Sequence, residues 1–346
     1  TTMGNSCVKH CSVIQVTNDD ILHNAVSALR ERLQNPQIKR ESFKNYHSSG
    51  TINSGAFAVV LLVKNVRTQQ QYAAKRQSKQ DVIHKNQLQN LKSEHLILNA
   101  VNFKFIIKLI ACCQDDTYVY FITELASSKD FFDLVDGATL TEFGVCIYVG
   151  QVVLALEYLH AGGIIHRDIK AENVLVATDG YLKLTDFGAS KHMKEPKTYS
   201  KVGTKIHMAP EILQEKGYGK SVDWWALGTL TFCLLFGYDA FDNPDPNAYL
   251  QLQPLNIPNN RPDKAQKFVQ KLLDQNPNNR LGVVANGTAG IKNHPFFSEL
   301  KWMKLYKKKY PPPISPPPIS NPTTVTDAPR DEADQACTSN ESFEFF

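Results

Sequence analysis

Hydrophobic positions along this chain change period twice. In "TNDDILHNAVSALRERLQ" (17–34), Ile21, Leu22, Ala25, Val26, Leu29 and Leu33 fall on one helical face. Thr17 or Asn18 supplies the N-cap and Asn35-Pro36 ends the run. A helix with such a stripe packs on the main body. From Tyr46 the segments are strand-like: "AFAVVLLVKN", "QYAAKRQ", "FIIKLIACCQ" and "TYVYFITEL", with one helical stretch over 81–100. Beyond Ser127 the period is helical again, in "FGVCIYVGQVVLALEYLHAGG", "SVDWWALGTLTFCLLFG" and "DKAQKFVQKLLDQ". The order predicts an α+β, bilobal protein, with a small mainly antiparallel β lobe before a larger mainly α lobe. The divisions are 1–45 (N-terminal segment with the amphipathic helix), 46–126 (small lobe), 127–300 (large lobe) and 301–346 (tail).

Within the tail, "YPPPISPPPISNPTTVTDAPRDEADQACTSN" is Pro-rich and then polar, with too few apolar residues for a core. It reads as an extended linker, with PxxP as a ligand for an SH3-like groove the alternative. The closing "FEFF" is expected to dock back on the body, because exposed phenylalanines at a chain end favour aggregation.

Composition narrows the classes. The charged share of 21% and hydrophobic share of 42% are those of an ordinary globular protein. A net charge of +4, with KKK at 307–309 the one dense basic run, gives no footprint for nucleic acid. Seven cysteines without a CxxC read as reduced thiols of a cytoplasmic protein, not as a disulfide frame or zinc site. The nearly apolar stretch around 225–238 is too short to span a bilayer. If Met3 is the native start, Gly4 is a candidate for myristoylation, although Val8 stands where Ser or Thr is usual; Cys7 is a weaker candidate for palmitoylation. Membrane contact follows only from such acylation.

"IIHRDIKAENVLV" (164–176) sets His166, Arg167, Asp168, Lys170, Glu172 and Asn173 between two apolar runs. These groups cannot all be buried unpaired, since such burial costs several kcal/mol or more. They form either a solvated loop with apolar anchors or a set converging on something charged. Downstream come Asp186-Phe187-Gly188 in "LTDFGAS" and Ala209-Pro210-Glu211 in "MAPEI"; upstream, Lys75 lies on a strand in "YAAKR". Each tripeptide alone is weak evidence. In this order and spacing, the chain resembles the eukaryotic protein kinases. "EHLILNAVNFKFIIKL", "EYLH", "GYLKLTDFG", "VDWWALG", "IKNHPFF" and the terminal F-x-x-F (Phe343, Phe346) are similar to the catalytic subunits of cyclic-AMP-dependent protein kinase, in the AGC group.

The resemblance implies the bilobal kinase fold, ATP and Mg²⁺ as cofactors, and transfer of the γ-phosphate to Ser or Thr of protein substrates. By the same resemblance, Asp168 orients the acceptor hydroxyl and takes its proton, and Lys170 neutralises the γ-phosphate. Asn173 and Asp186 hold Mg²⁺, and Lys75, held by Glu94, contacts the α- and β-phosphates. The nucleotide site takes in Ile52, Asn53, Gly55, Ala58, Val60, Ala73, Lys75, Thr123, Glu124, Ala126, Leu175 and Thr185. Thr204 supports the catalytic loop, Asp223 ties that loop to the large lobe, and Arg280 pairs with Glu211. Asp130 and Glu172 receive basic substrate residues, and Ser200 is the candidate phosphosite, with Arg167 and Lys191 as cationic partners. A regulatory subunit or pseudosubstrate inhibitor is the further partner implied.

Departures from the family pattern temper the details. The glycine-rich loop falls on "NSGAFAVV", where only Gly55 remains, between Asn53 and Ala58. Asn90 replaces a phosphate-binding histidine. Cys233 and Ile206 stand where the relatives carry glutamates. Lys201, Lys205 and Met208 take the place of a largely apolar pocket. These changes imply weaker nucleotide binding and a relaxed basic preference. The alternatives are an impaired kinase or pseudokinase acting as a binding partner, and a small-molecule kinase of similar fold. The APE segment and tail disfavour the second.

Overall fold

The computed structural model describes residues 18–55, 58–126, 131, 140–241, 255, 257–284, 286–315 and 340–346. Gly4, Cys7, Asp130 and the Pro-rich run from 316 to 339 lie outside them.

The first helix, α1 (Asn18–Gln34), buries Val26, Leu29 and Leu33. These positions share the face that the apolar stripe marks out, and they join the main core. Arg30 fixes the helix by donating to the Ala161 carbonyl at 2.7 Å.

A five-stranded antiparallel sheet makes the small lobe: β1 (Tyr46–Ser54), β2 (Val59–Asn65), β3 (Gln71–Ser78), β4 (Leu109–Gln114) and β5 (Tyr118–Glu124), in the order β1-β2-β3-β5-β4. Alternation sends Leu61, Val63, Ala74 and Ile122 into a small apolar cluster with Tyr46 and Tyr120. Ala73 and Lys75 take the other face of β3. The helical stretch expected over 81–100 is two helices, α2 (Lys79–His84) and α3 (Leu88–Ala100). Asn86 breaks it at φ 52°, a left-handed conformation that Asn tolerates. Ser78 caps α2 by accepting from Asp81 N.

The large lobe is built around α4 (Glu142–Ala161), capped by Thr141 and buried along nearly its whole length. By length and apolar composition this helix, rather than 225–238, is the one that would suit a bilayer; in the fold it is core. Four short strands follow: β6 (Ile164–Ile165), β7 (Val174–Val176), β8 (Leu182–Leu184) and β9 (Lys191–His192), paired β6–β9 and β7–β8. Then come α5 (Pro210–Leu213), α6 (Ser221–Phe236), α7 (Asp263–Leu272), α8 (Gly287–Lys292) and α9 (Trp302–Tyr306). Gly237 ends α6 at φ 83°.

The last residues return to the small lobe. Phe343 and Phe346 are buried, and Phe346 lies 4.9 Å, ring to ring, from both His95 on α3 and Phe121 on β5. Arg40 holds the segment by donating to the Glu344 carbonyl at 2.9 Å.

Candidate active site

Burial alternates along the strands on either side of the junction between the lobes. Val60, Ala73, Thr123 and Leu175 are half-buried, while their neighbours Leu61, Ala74, Ile122, Val174 and Val176 are buried. Pairing sets Ala73 opposite Thr123 and Val60 opposite Lys75. Ile52 is half-buried on β1, and Asn53, exposed, pairs with Val60. Gly55 N–H donates to the Ala58 carbonyl at 2.9 Å. Among the described residues, a Cβ on Gly55 would meet only that carbonyl oxygen, at 3.7 Å. Ala126 is buried.

Lys75 Nζ lies 2.6 Å from Glu94 Oε1 and 2.9 Å from Asp186 Oδ1. Burial pulls the lysine pKa down, but Asp186 and Glu94 more than offset this and hold it above the usual range. Lys75 in turn keeps the Asp186 carboxyl at about 2. Burial pushes the Glu94 carboxyl upward against the pull of Lys75; at 2.6 Å the pair stays an ion pair. Asp186 has φ 56° and Arg167 φ 70°. Left-handed backbone at non-glycine residues costs energy and clusters at functional sites.

Around Asp168 the hydrogen bonds are saturated on one side. Its Oδ1 accepts from Thr204 N at 2.8 Å and Thr204 Oγ1 at 2.9 Å, and its Oδ2 accepts from Asn173 Nδ2 at 2.7 Å. Lys170 Nζ donates to Thr204 Oγ1 at 2.8 Å and stands 3.9 Å from Asp168 Oδ2. Gly203 lets the two loops meet: a Cβ there would come within 2.5 Å of the Arg167 carbonyl oxygen.

Asp223, fully buried at the start of α6, fastens from behind the loop that carries His166 and Arg167. It accepts from His166 N at 3.0 Å, Arg167 N at 2.8 Å and His160 Nε2 at 2.7 Å. Burial raises its pKa, yet these donors bring it below the usual value. His166 Nε2 lies 3.1 Å from the Thr185 carbonyl, which can only accept, so the proton is on Nε2. Its Nδ1 is buried without a hydrogen-bond partner among the described residues, and burial keeps the ring neutral. Glu211 and Arg280 form a buried two-bond pair, 2.6 and 3.0 Å.

Residues 46–297 match the protein kinase domain. The chain belongs to the protein kinase family. It is 35% identical over 278 residues to the cAMP-dependent protein kinase catalytic subunit of Dictyostelium discoideum, covering 79% of this chain and 43% of that protein. To the cAMP-dependent protein kinase catalytic subunit PRKX of Mus musculus it is 34% identical over 279 residues, covering 80% and 78%. To the RAC family serine/threonine-protein kinase homolog of Dictyostelium discoideum it is 35% identical over 272 residues, covering 77% and 60%. The chain thus spans less than half of the first of these and more than three quarters of the second.

The segment carrying Ser200 is tied to the 166–173 loop through Arg167, which donates to Ser200 Oγ at 2.6 Å and to the Ala189 carbonyl at 2.6 Å. Lys191 reaches not Ser200 but Thr198 Oγ1, at 2.8 Å, and the Thr198 and Ser200 hydroxyls are 3.5 Å apart. Tyr218, which the sequence did not single out, donates to the Ser200 carbonyl. Asn90 donates to Gln87, the residue just before α3. Glu172 is exposed, 3.9 Å from Lys170, and Cys233 is buried close enough to Glu172 and Asp239 to feel both. Its candidate companion in the peptide groove, Asp130, lies outside the described residues. Cys112, Cys113, Cys146 and Cys233 are free thiols.

A metal ion would find hard oxygen donors here. Both contacts of the Asn173 amide nitrogen go to Asp168, which leaves Asn173 Oδ1 as a ligand atom. Asp186, kept ionised and with its side chain 45% exposed, supplies the carboxylate. Among the described residues no group of three or more His, Cys, Asp or Glu could hold an ion. Asn173 and Asp186 are the residues that would hold one, leaving positions on it for oxygen donors of phosphate and water.

Proposed function

We propose that this kinase transfers the γ-phosphate of ATP to Ser or Thr hydroxyls of protein substrates, with Mg²⁺ at Asn173 and Asp186. The observation that carries the reading is the charged chain Glu94–Lys75–Asp186, closed at 2.6 and 2.9 Å. Phosphoryl transfer asks a protein mainly for positioning and neutralisation of charge. Lys75, anchored by Glu94, presents a fixed cation to the α- and β-phosphates. Lys170 presents a second near the transferred group. Asp168, aimed by Thr204 and Asn173, orients the acceptor hydroxyl and takes its proton. A divalent cation held by Asn173 and Asp186 would supply further neutralisation of phosphate charge.

The half-buried side chains of Val60, Ala73 and Leu175 are assigned to the two sides of the adenine ring. Glu124 N–H is spent on the Lys108 carbonyl at 2.9 Å, so the hinge contacts fall to the Glu124 carbonyl and Ala126 N–H. Gly55 is where phosphate would approach the backbone. Ser200, held by Arg167, is the regulatory phosphosite. Tyr199, 68% exposed beside it, offers an aromatic to a regulatory subunit. Basic preference in the substrate is reduced because Cys233 replaces a carboxylate.

Radiolabelled ATP with a degenerate Ser/Thr peptide library, with Mg²⁺ and with chelator, tests the reading. Label enters peptide only with Mg²⁺, and Asp186→Ala abolishes it while still folding. Label transfer undiminished in that variant, or none in the wild type, defeats the proposal. The second outcome favours a binding protein without turnover.

A further inference from the structure

One buried cation near the junction between the lobes takes no part in the constellation around Asp168. Lys183 lies in β8, where Leu182, Lys183 and Leu184 are all buried, a position that an apolar residue would fill without cost. Its ammonium is 2.6 Å from Glu124 Oε1, with the two side chains 11% and 32% exposed. The same Glu124 oxygen accepts Lys108 N–H at 2.9 Å, and Glu124 N–H donates to the Lys108 carbonyl at 2.9 Å. Glu124 is therefore fixed to the small lobe by two bonds and to the large lobe by one.

Strand pairing shows what this contact joins. Lys183 is the cross-strand partner of Leu175, the floor of the proposed adenine slot. Glu124 ends β5, one residue after Thr123, which pairs with Ala73 in the roof. Elsewhere β8 is tied to the segment before β4 by backbone alone, Leu184 N to the Phe105 carbonyl at 2.8 Å and Ile107 N to the Leu184 carbonyl at 2.9 Å. The Lys183–Glu124 contact is thus a side-chain bond across the point where the chain passes between lobes. A buried ammonium is costly unless paired, and a well-packed apolar residue usually stabilises as much or more. What the pair adds over packing is a directional link.

We propose that Lys183 is a positioning residue for the nucleotide: its bond to Glu124 sets the height of the adenine slot by holding floor strand and hinge together. This rests on the nucleotide-binding reading above. Removing the charge lets the hinge part from the floor, so nucleotide binds more weakly and leaves faster.

The test measures ADP affinity and dissociation rate by displacement of a fluorescent nucleotide, together with KM for ATP, in full-length wild type, Lys183→Gln, Lys183→Arg and Glu124→Gln. Lys183→Gln is expected to weaken ADP binding about fivefold, a modest loss in keeping with one partly buried ion pair, with KM for ATP rising alongside. Lys183→Arg should restore the wild-type values, because it keeps the charge. Glu124→Gln should match Lys183→Gln, and the double Gln variant should be no worse than either single one. Unchanged affinity in Lys183→Gln overturns the proposal. So does equal weakening in Lys183→Gln and Lys183→Arg, which marks a packing role. If the wild type binds no nucleotide, the underlying reading falls and this proposal with it.

Discussion

Lys75 on β3 and Glu94 on α3 meet at 2.6 Å, so the position of a helix is coupled to a cation at the junction between the lobes. Glu94 is 2% exposed and has no water to replace its partner. The prediction concerns that coupling. Glu94→Gln keeps the shape but weakens the anchor, while Asp186 at 2.9 Å still pairs with the lysine. A charge-assisted bond is worth about 1.5–3 kcal/mol, so kcat/KM for peptide phosphorylation should fall about ten- to a hundredfold. The melting temperature should stay within a few degrees. Steady-state kinetics and calorimetry check both, and undiminished kcat/KM would show that the ion pair is not needed for turnover.

A second prediction joins the tail to pH. Burying the rings of Phe343 and Phe346 is worth roughly 3–6 kcal/mol before ordering costs; removing residues 343–346 should lower the melting temperature by about 5 °C. His95 lies under Phe346, and burial, helped by Arg40, takes its pKa from 6.5 down to about 4. A depressed histidine pKa means that the unfolded chain binds the proton more readily. Its stabilisation is complete above about 6.5 and is lost as pH falls towards 4. Without the tail His95 is opened to water and loses much of this shift. The gap in melting temperature between full and truncated chains should therefore narrow from pH 7 to pH 4.5. A gap independent of pH would uncouple His95 from docking.

Much of this was legible because kinase motifs keep charged residues at fixed steps inside apolar runs. Asp168, Lys170 and Asn173 are local in sequence, and the structure gathers them with Asp186 and Lys75. Elements were legible where one period dominates, as in α1. Periodicity reads 81–100 as one helix, because the break between α2 and α3 rests on a single left-handed Asn86. The apolar span of α4 was passed over because its Gly and Gln interrupt the run by eye but not its burial. Lys183 was missed for a different reason. Its partner Glu124 is 59 positions away, and a lysine in a short strand carries no signal of what it faces. The destination of Lys191, Thr198 rather than Ser200, is likewise set by tertiary geometry.

The Glu211–Arg280 pair makes a prediction about stability. Arg280 is fully buried and lies with its guanidinium 5.1 Å from the Trp225 ring centroid. Arg280→Met leaves Glu211 charged and buried without its partner, which costs about 3–5 kcal/mol. Denaturant unfolding should show that loss. Adding Glu211→Leu should recover part of it, because both charges are then gone. A double variant as unstable as the sum of the single ones would mean that the two residues act independently.

The last prediction tests the peptide groove. Cys233 is 8% exposed, and burial, with Asp239 and Glu172 adding, pushes its thiol up to about 11. The side chain is therefore neutral and cannot hold an arginine as a carboxylate would. Cys233→Glu sets a third carboxylate beside Glu172 and Asp239, a repulsion that a bound guanidinium relieves. In the free protein this should lower the melting temperature by a few degrees, and a peptide with arginine two residues before the acceptor should restore part of it. If the new bond forms in the transition state, discrimination between Arg and Ala at that position should rise about ten- to a hundredfold in kcat/KM. Paired peptides assayed on wild type and variant give the ratio. A flat ratio, with the melting temperature lowered whether or not peptide is present, would show that Cys233 faces the core and not the substrate.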